Sequence, residues 1–240
     1  MATTLVSIIP WARRFLGNLS LFHKGSKEPA LTNANIILGT MLSPPFTWEW
    51  NRNIVSFYCQ NVLTDYIKPV SDFGFIESGS LTVPNSAPID AQNIYAMQTR
   101  RNLDKTAQLG RPGFVSVFMD DGQGNITFRV GSAAPDQPYF VIVTYQKSFV
   151  PLTSTSQVLP IPDKLVHIFK YGFASLALLY NQDTRFREMN QKFISTLLGT
   201  QQGLSAQEKN VFLVSWYTTL SDQVSIGPTV QQGFQERGSL

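Results

Sequence analysis

The stretch Phe114-Val115-Ser116-Val117-Phe118, followed by Asp120-Asp121-Gly122-Gln123-Gly124-Asn125 and then Ile126-Thr127-Phe128-Arg129-Val130, decides the fold class. Two β-rich runs flank a turn whose glycines supply positive φ, which is the pattern of a hairpin. Downstream, Tyr139-Phe140-Val141-Ile142-Val143-Thr144-Tyr145 reads as a central, well-buried strand. Upstream, Ile54 to Tyr58, Asp65 to Lys68, Asp72 to Glu77 and Leu81 to Val83 are short and β-rich, punctuated by Gly79 and Pro84. Short strands in succession predict an antiparallel sandwich or barrel-like module. A short helical turn is expected near Asp90 to Met97.

Helical signals bracket this region. Glu28 to Leu42 carries an apolar face of Ile36, Ile37, Leu38, Met41 and Leu42, with Thr32 or Asn33 as cap, and Ser43-Pro44-Pro45 stops it. Asp163 is placed to cap a nearly all-apolar helix running to about Tyr180. Thr184 to Leu198 repeats Phe186, Met189, Phe193 and Leu197 along one stripe. Ser205-Ala206-Gln207-Glu208 has the form of a capping box opening a third helix, with Phe212, Trp216 and Leu220 facing inward. The expected fold is α+β: a β-rich module over 53–162 joined to a helical bundle over 31–52 and 163–220, with extended arms at 1–30 and 221–240.

The composition narrows the function. Charged residues are 15% of 240, against roughly 25% in a typical soluble domain, so the surface relies on neutral polar side chains and on partners. One cysteine, Cys59, excludes an internal disulfide framework and a cysteine-rich zinc site, and two histidines leave little for metal or triad chemistry. The composition leans against an enzyme, and no cofactor or metal is expected.

Individual motifs are weak. Counting from Asp120 as a calcium loop puts Gly131 at the twelfth position, where a bidentate Glu is needed. His167 lies one turn from Asp163, a spacing that suits a base and its orienting carboxylate but also simple capping or packing. Gly122-Gln123-Gly124 lacks the third glycine of a dinucleotide fingerprint. Arg100, Arg101, Lys105 and Arg111 form the most basic stretch, read as a solvated loop or intersubunit salt bridges rather than a nucleic-acid surface. The cluster Phe46-Thr47-Trp48-Glu49-Trp50 reads as core or subunit contact before it reads as a stacking platform.

The ends invite partners. Met1 to Phe22 is apolar but interrupted by Arg13 and Arg14, which deny it the pattern of a secretory signal or a membrane span. It reads as an arm docking on a neighbouring subunit, with an interfacial membrane helix as the alternative. The tail carries Val224, Ile226, Val230 and Phe234 in a polar background, either a frayed end or an arm that orders on a partner.

The order of several segments resembles the head-to-tail adaptor (neck or connector) proteins of tailed, short-tailed bacteriophages. They are Ile36-Ile37-Leu38-Gly39-Thr40-Met41-Leu42-Ser43-Pro44-Pro45-Phe46 with Trp48-Glu49-Trp50-Asn51-Arg52, then Val70 to Glu77, and Gly110-Arg111-Pro112. Ala134 to Tyr139 with Tyr145-Gln146-Lys147 follows, and then Pro162-Asp163-Lys164 with Tyr171-Gly172. The likeness spans roughly 33–193. It implies a structural virion protein, made in the host cytoplasm and located at the phage neck. It implies a homo-oligomeric ring, usually a dodecamer, bound to the portal protein and to a tail or nozzle protein. Genomic DNA would pass through the lumen without sequence-specific binding. The resemblance implies no membrane partner. Arg13, Arg14, Phe234, Arg237 and Leu240 are expected in subunit or portal contacts because they lie in the arms. Alternatives are a tail terminator or tube subunit, or a carbohydrate- or nucleic-acid-binding module using Trp48, Trp50 and 100–111.

Overall fold

A computed structural model describes residues 3–17, 28–82, 90–92, 109–131, 133–201 and 203–224. The fold is α+β: five α-helices and a set of mainly antiparallel sheets occur among the described residues, and no described sheet closes into a barrel. The chain divides into two compact units, Thr47–Ser148 and the remainder, Met1–Phe46 with Phe149–Leu240.

In the β unit, β1 (Arg52–Cys59), β2 (Asp65–Pro69), β3 (Phe73–Thr82), β4 (Asp90–Gln92), β5 (Leu109–Gly110), β6 (Phe114–Asp120), β7 (Asn125–Gly131), β8 (Ala134–Pro135) and β9 (Tyr139–Lys147) follow in chain order. One sheet has the order β1-β9-β3, a second β2-β7-β6-β4, and β5 pairs with β8. The hairpin expected at 114–130 is β6-β7, with a register shift between Val117 and Met119. Asp121 holds its turn: one carboxylate oxygen accepts from the Gln123 and Asn125 amides at 2.7 and 2.9 Å. Gly122 and Gly124 take the positive φ.

Phe57, Val141, Val143 and Tyr145 of the first sheet share one core with Tyr66, Val115, Ile126 and Phe128 of the second. Phe128 stacks on Phe57 at 5.8 Å and meets Phe73 edge-on. Two expectations need correction. β4, where a helical turn was expected, is a strand, and β4-β6 and β5-β8 are parallel pairs. A parallel return needs a connection of about a dozen residues or more, which the long stretch between Gln92 and Phe114 supplies. β9 is central, but only one of its faces is fully buried.

In the helical unit, α1 (Leu5–Leu16), α2 (Glu28–Leu42), α3 (Val166–Tyr180), α4 (Phe186–Gly199) and α5 (Ala206–Val224) are the helices. The extended N-terminal arm expected over 1–30 is helical at α1, with Pro10 inside the helix rather than at its start. Leu5, Ile8, Ala12 and Leu16 form a buried stripe at helical spacing, and that burial outweighs the proline's missing N–H. Its start is pinned by Val6 N–H to Thr155 O and Leu159 N–H to Thr3 O, both 2.9 Å. Likewise α2 runs through Thr32 and Asn33 rather than being capped by them. The Asn35 amide clamps the Leu152 backbone, donating at 3.0 Å and accepting at 2.8 Å. The capping box forms as expected: the Ser205 hydroxyl accepts from the Glu208 amide, and the Glu208 carboxylate accepts from the Ser205 amide.

Gly172 in α3 lies against side chains of both α2 and α4. A Cβ there would lie 2.8 Å from Ile37 Cδ1 and 2.9 Å from the Phe193 ring. Gly172→Ala is expected to lower stability by about 1–3 kcal/mol through overpacking, read as a lower urea midpoint. Gly39→Ala in α2, whose added methyl meets Phe149 at an ordinary 3.6 Å, is expected to be neutral or to stabilise by up to about 1 kcal/mol.

Candidate functional site

The two sheets turn their inner faces to one core, so each has an outer face. In the β1-β9-β3 sheet the register places Tyr58 opposite Phe140, Ser56 opposite Ile142 and Ile54 opposite Thr144. Directly opposite residues share a face, alternating with the buried Phe57, Cys59, Val141 and Val143. Ile54 and Tyr58 are 62% and 68% exposed, and the Tyr58 and Phe140 rings lie 4.8 Å apart. β3 adds Ser78, Ser80 and Thr82 in register with Thr144, Ile142 and Phe140. No charged residue occurs in these three rows.

The outer face of the second sheet differs. Thr127 pairs with Ile67 on one side and Met119 on the other, and those two apolar side chains are 66% and 52% exposed. Two residues along, Arg129 makes a two-pronged ion pair with Asp65 while its guanidinium lies 3.5 Å over the Phe118 ring. The face is therefore amphipathic, with its charges internally paired.

Two polar networks brace the first face. Gln146, fully buried, accepts from the Trp48 amide at 3.1 Å and donates to Glu77 at 2.6 Å. Glu77 in turn receives the Arg52 guanidinium. Nearby, the Tyr145 hydroxyl donates to Asp72 at 2.6 Å and the Asn53 amide at 3.1 Å. Burial pushes the Asp72 carboxyl up, but those donors overcome it and hold it below its ordinary value of 3.8. Burial, then Asp72 itself, keeps the Tyr145 phenol above its usual range. Burial pushes the Cys59 thiol up to about 11, which makes it an unreactive core group.

Of the residues singled out from the sequence, Arg13 and Arg14 are exposed in the last turn of α1, where cations suit the helix dipole. Phe234, Arg237 and Leu240 lie outside the described residues, as do Arg100, Arg101 and Lys105. His167 is exposed and meets Tyr171 edge-on at 6.3 Å, and Asp163 accepts from the Thr3 hydroxyl at 2.7 Å. Phe46 and Trp48 are buried, Phe46 against Phe212. Among the described residues, no group of His, Cys, Asp and Glu could hold a metal ion, and no helix is long and apolar enough to cross a membrane. Neither outer face was singled out in the sequence. The available signal was the run 139–145, in which the residues between the core positions are also largely apolar. Compared with known proteins, the chain matches no family model and no curated protein.

The Asp72 network gives a pH-dependent outcome. A carboxyl depressed on folding stabilises above its unfolded value of 3.8 and loses that contribution as pH falls through its folded value. Tyr145→Phe is expected to cost about 1 kcal/mol at pH 6, with the difference from the parent closing below about pH 3.8. Urea unfolding at both pH values checks it. A gap independent of pH would separate the Tyr145 bond from the ionisation of Asp72.

Proposed function

We propose that this chain is a structural virion protein that forms a ring at the neck of a tailed bacteriophage, joining the capsid portal to the tail around the DNA exit channel. Its partners on this reading are further copies of itself, the portal protein and a tail or nozzle protein, with genomic DNA passing through the lumen unread. The two facing sheets are read as a sandwich and the helices as a bundle. The resemblance carried by the segments between 33 and 193 supplies the class. The observation that supports ring assembly is the unlike pair of outer faces on the β unit: Ile54, Tyr58 and Phe140 in an uncharged setting, Ile67 and Met119 beside a closed ion pair.

A ring needs this asymmetry. An isologous contact uses one patch twice and ends at a dimer, whereas two different complementary patches propagate and close on themselves. Outward apolar side chains on both faces give each subunit something to bury in either direction. Arg13 and Arg14, exposed on α1, remain assigned to subunit or portal contacts, and so do Phe234, Arg237 and Leu240 in the tail.

The test is solution mass with electron microscopy, with and without portal. A closed ring on the portal axis is expected, and a stable monomer indifferent to portal overturns the reading. Two single variants refine it. Tyr58→Arg disables the first face and Met119→Arg the second, and each alone is expected to stay monomeric and folded. Mixed together they retain one good face each, so they are expected to form a one-to-one dimer and no ring. Dimers of either variant alone would indicate an isologous contact instead.

A further inference from the structure

Among the described residues, α5 presents a further unpartnered face, independent of the ring reading. Phe212, Trp216 and Leu220 are buried, and the Trp216 indole N–H donates to the buried Asn190 carbonyl at 2.9 Å. These contacts fix the rotation of the helix about its axis and turn Val211, Val214 and Tyr217 outward, 61%, 69% and 45% exposed. No charged residue occurs between Lys209 and Asp222. A shallow, open groove on this face is lined by Gln207, Asn210, Val211, Val214 and Ser215, and its surface is largely apolar. An apolar, uncharged helix face of this length is the kind of surface that binds another segment.

We infer that the occupant is the chain's own C-terminal segment, residues 225–240, folded back along α5 with Phe234 in the groove, which withdraws Phe234 from the subunit and portal contacts and leaves those to Arg237 and Leu240. Three features favour it over other occupants. The segment starts where the helix stops, so its local concentration at the groove is fixed by covalent connection. Its chemistry matches: residues 223–235 carry no charge and bring Ile226, Val230 and Phe234. Its length also fits. Gly227-Pro228, three residues past Val224, has the composition of a turn after a helix end. From Thr229 an extended chain advances about 3.3 Å per residue while α5 rises about 1.5 Å per residue. Phe234, five residues on, then travels about 16 Å, equal to about eleven helical residues back from Val224. That level is Leu213, next to Val214 in the lining. Val230 falls beside Asp222 by the same count.

A disulfide trap tests this in the full chain. Val214→Cys with Phe234→Cys is expected to oxidise at least tenfold faster than a control pair, Tyr180→Cys with Phe234→Cys, and to give a cross-link within one chain. The native Cys59 is 1% exposed and does not compete. Equal rates for the two pairs, or a cross-link between two chains, overturn the inference, the second assigning the groove to a neighbouring copy's tail. An independent readout uses no cysteine. Deleting 225–240 is expected to raise the fluorescence of a hydrophobic dye severalfold, and Val214→Glu in the shortened chain to abolish the gain. Dye binding unchanged by the deletion would also overturn it. Neither readout depends on ring formation, so failure here and failure of the neck reading are separable.

Discussion

The alternation of β9 is the constraint on which the β unit depends. Tyr139, Val141, Val143 and Tyr145 all face the core, while β1 and β3 pair with β9 on either side rather than with each other. A slip of one residue would bring Phe140, Ile142 and Thr144 inward and expose the entire core set. Such a slip is poorly resisted by hydrophobicity alone, because both sets are largely apolar. What breaks the tie is polar. Gln146 has to meet Trp48 and Glu77, and Tyr145 has to reach Asp72, and both bonds exist in one register only. The buried hydrogen bonds thus select a register that the apolar pattern leaves nearly degenerate.

Much of this architecture was legible in the sequence, and where it was, the local signal was also the global one. The turn chemistry at Asp120 to Asn125, the Ser205 to Glu208 capping box and the apolar run from Leu165 to Leu179 each state their structure within a few residues. The failures share a different cause. The apolar pattern of 1–22 reads as an arm docking on a neighbouring subunit, yet Leu5, Ile8, Ala12 and Leu16 are buried as one stripe within the chain itself. Tertiary burial decided that element, and no local propensity reports it. β4 failed for a similar reason. Its three residues are a strand only because Phe114 to Ser116 lies alongside in parallel.

The candidate faces were the least legible of all. In the sequence the arms draw the eye, because their apolar residues stand out against polar neighbours. The faces instead lie on ordered strands, where an exposed Tyr58 and a buried Phe57 are adjacent and equally hydrophobic. Only pairing separates them. The register that puts Phe57 opposite Val141 also puts Tyr58 opposite Phe140, so the core and the outer face are specified by one set of hydrogen bonds.

On the ring reading, this coupling bears on how partners would be chosen. The charges that border the two faces are spent within the unit, Arg52 on Glu77 and Arg129 on Asp65. Neither face therefore projects a strong field, and long-range steering has little to act on. On the ring reading, recognition would come from shape and aromatic packing at contact, which salt screens little. Low charge in the composition and paired charge at the surface are then two views of one design. The chain gives up electrostatic guidance and relies on strand register, which fixes the outer side chains as firmly as it fixes the core.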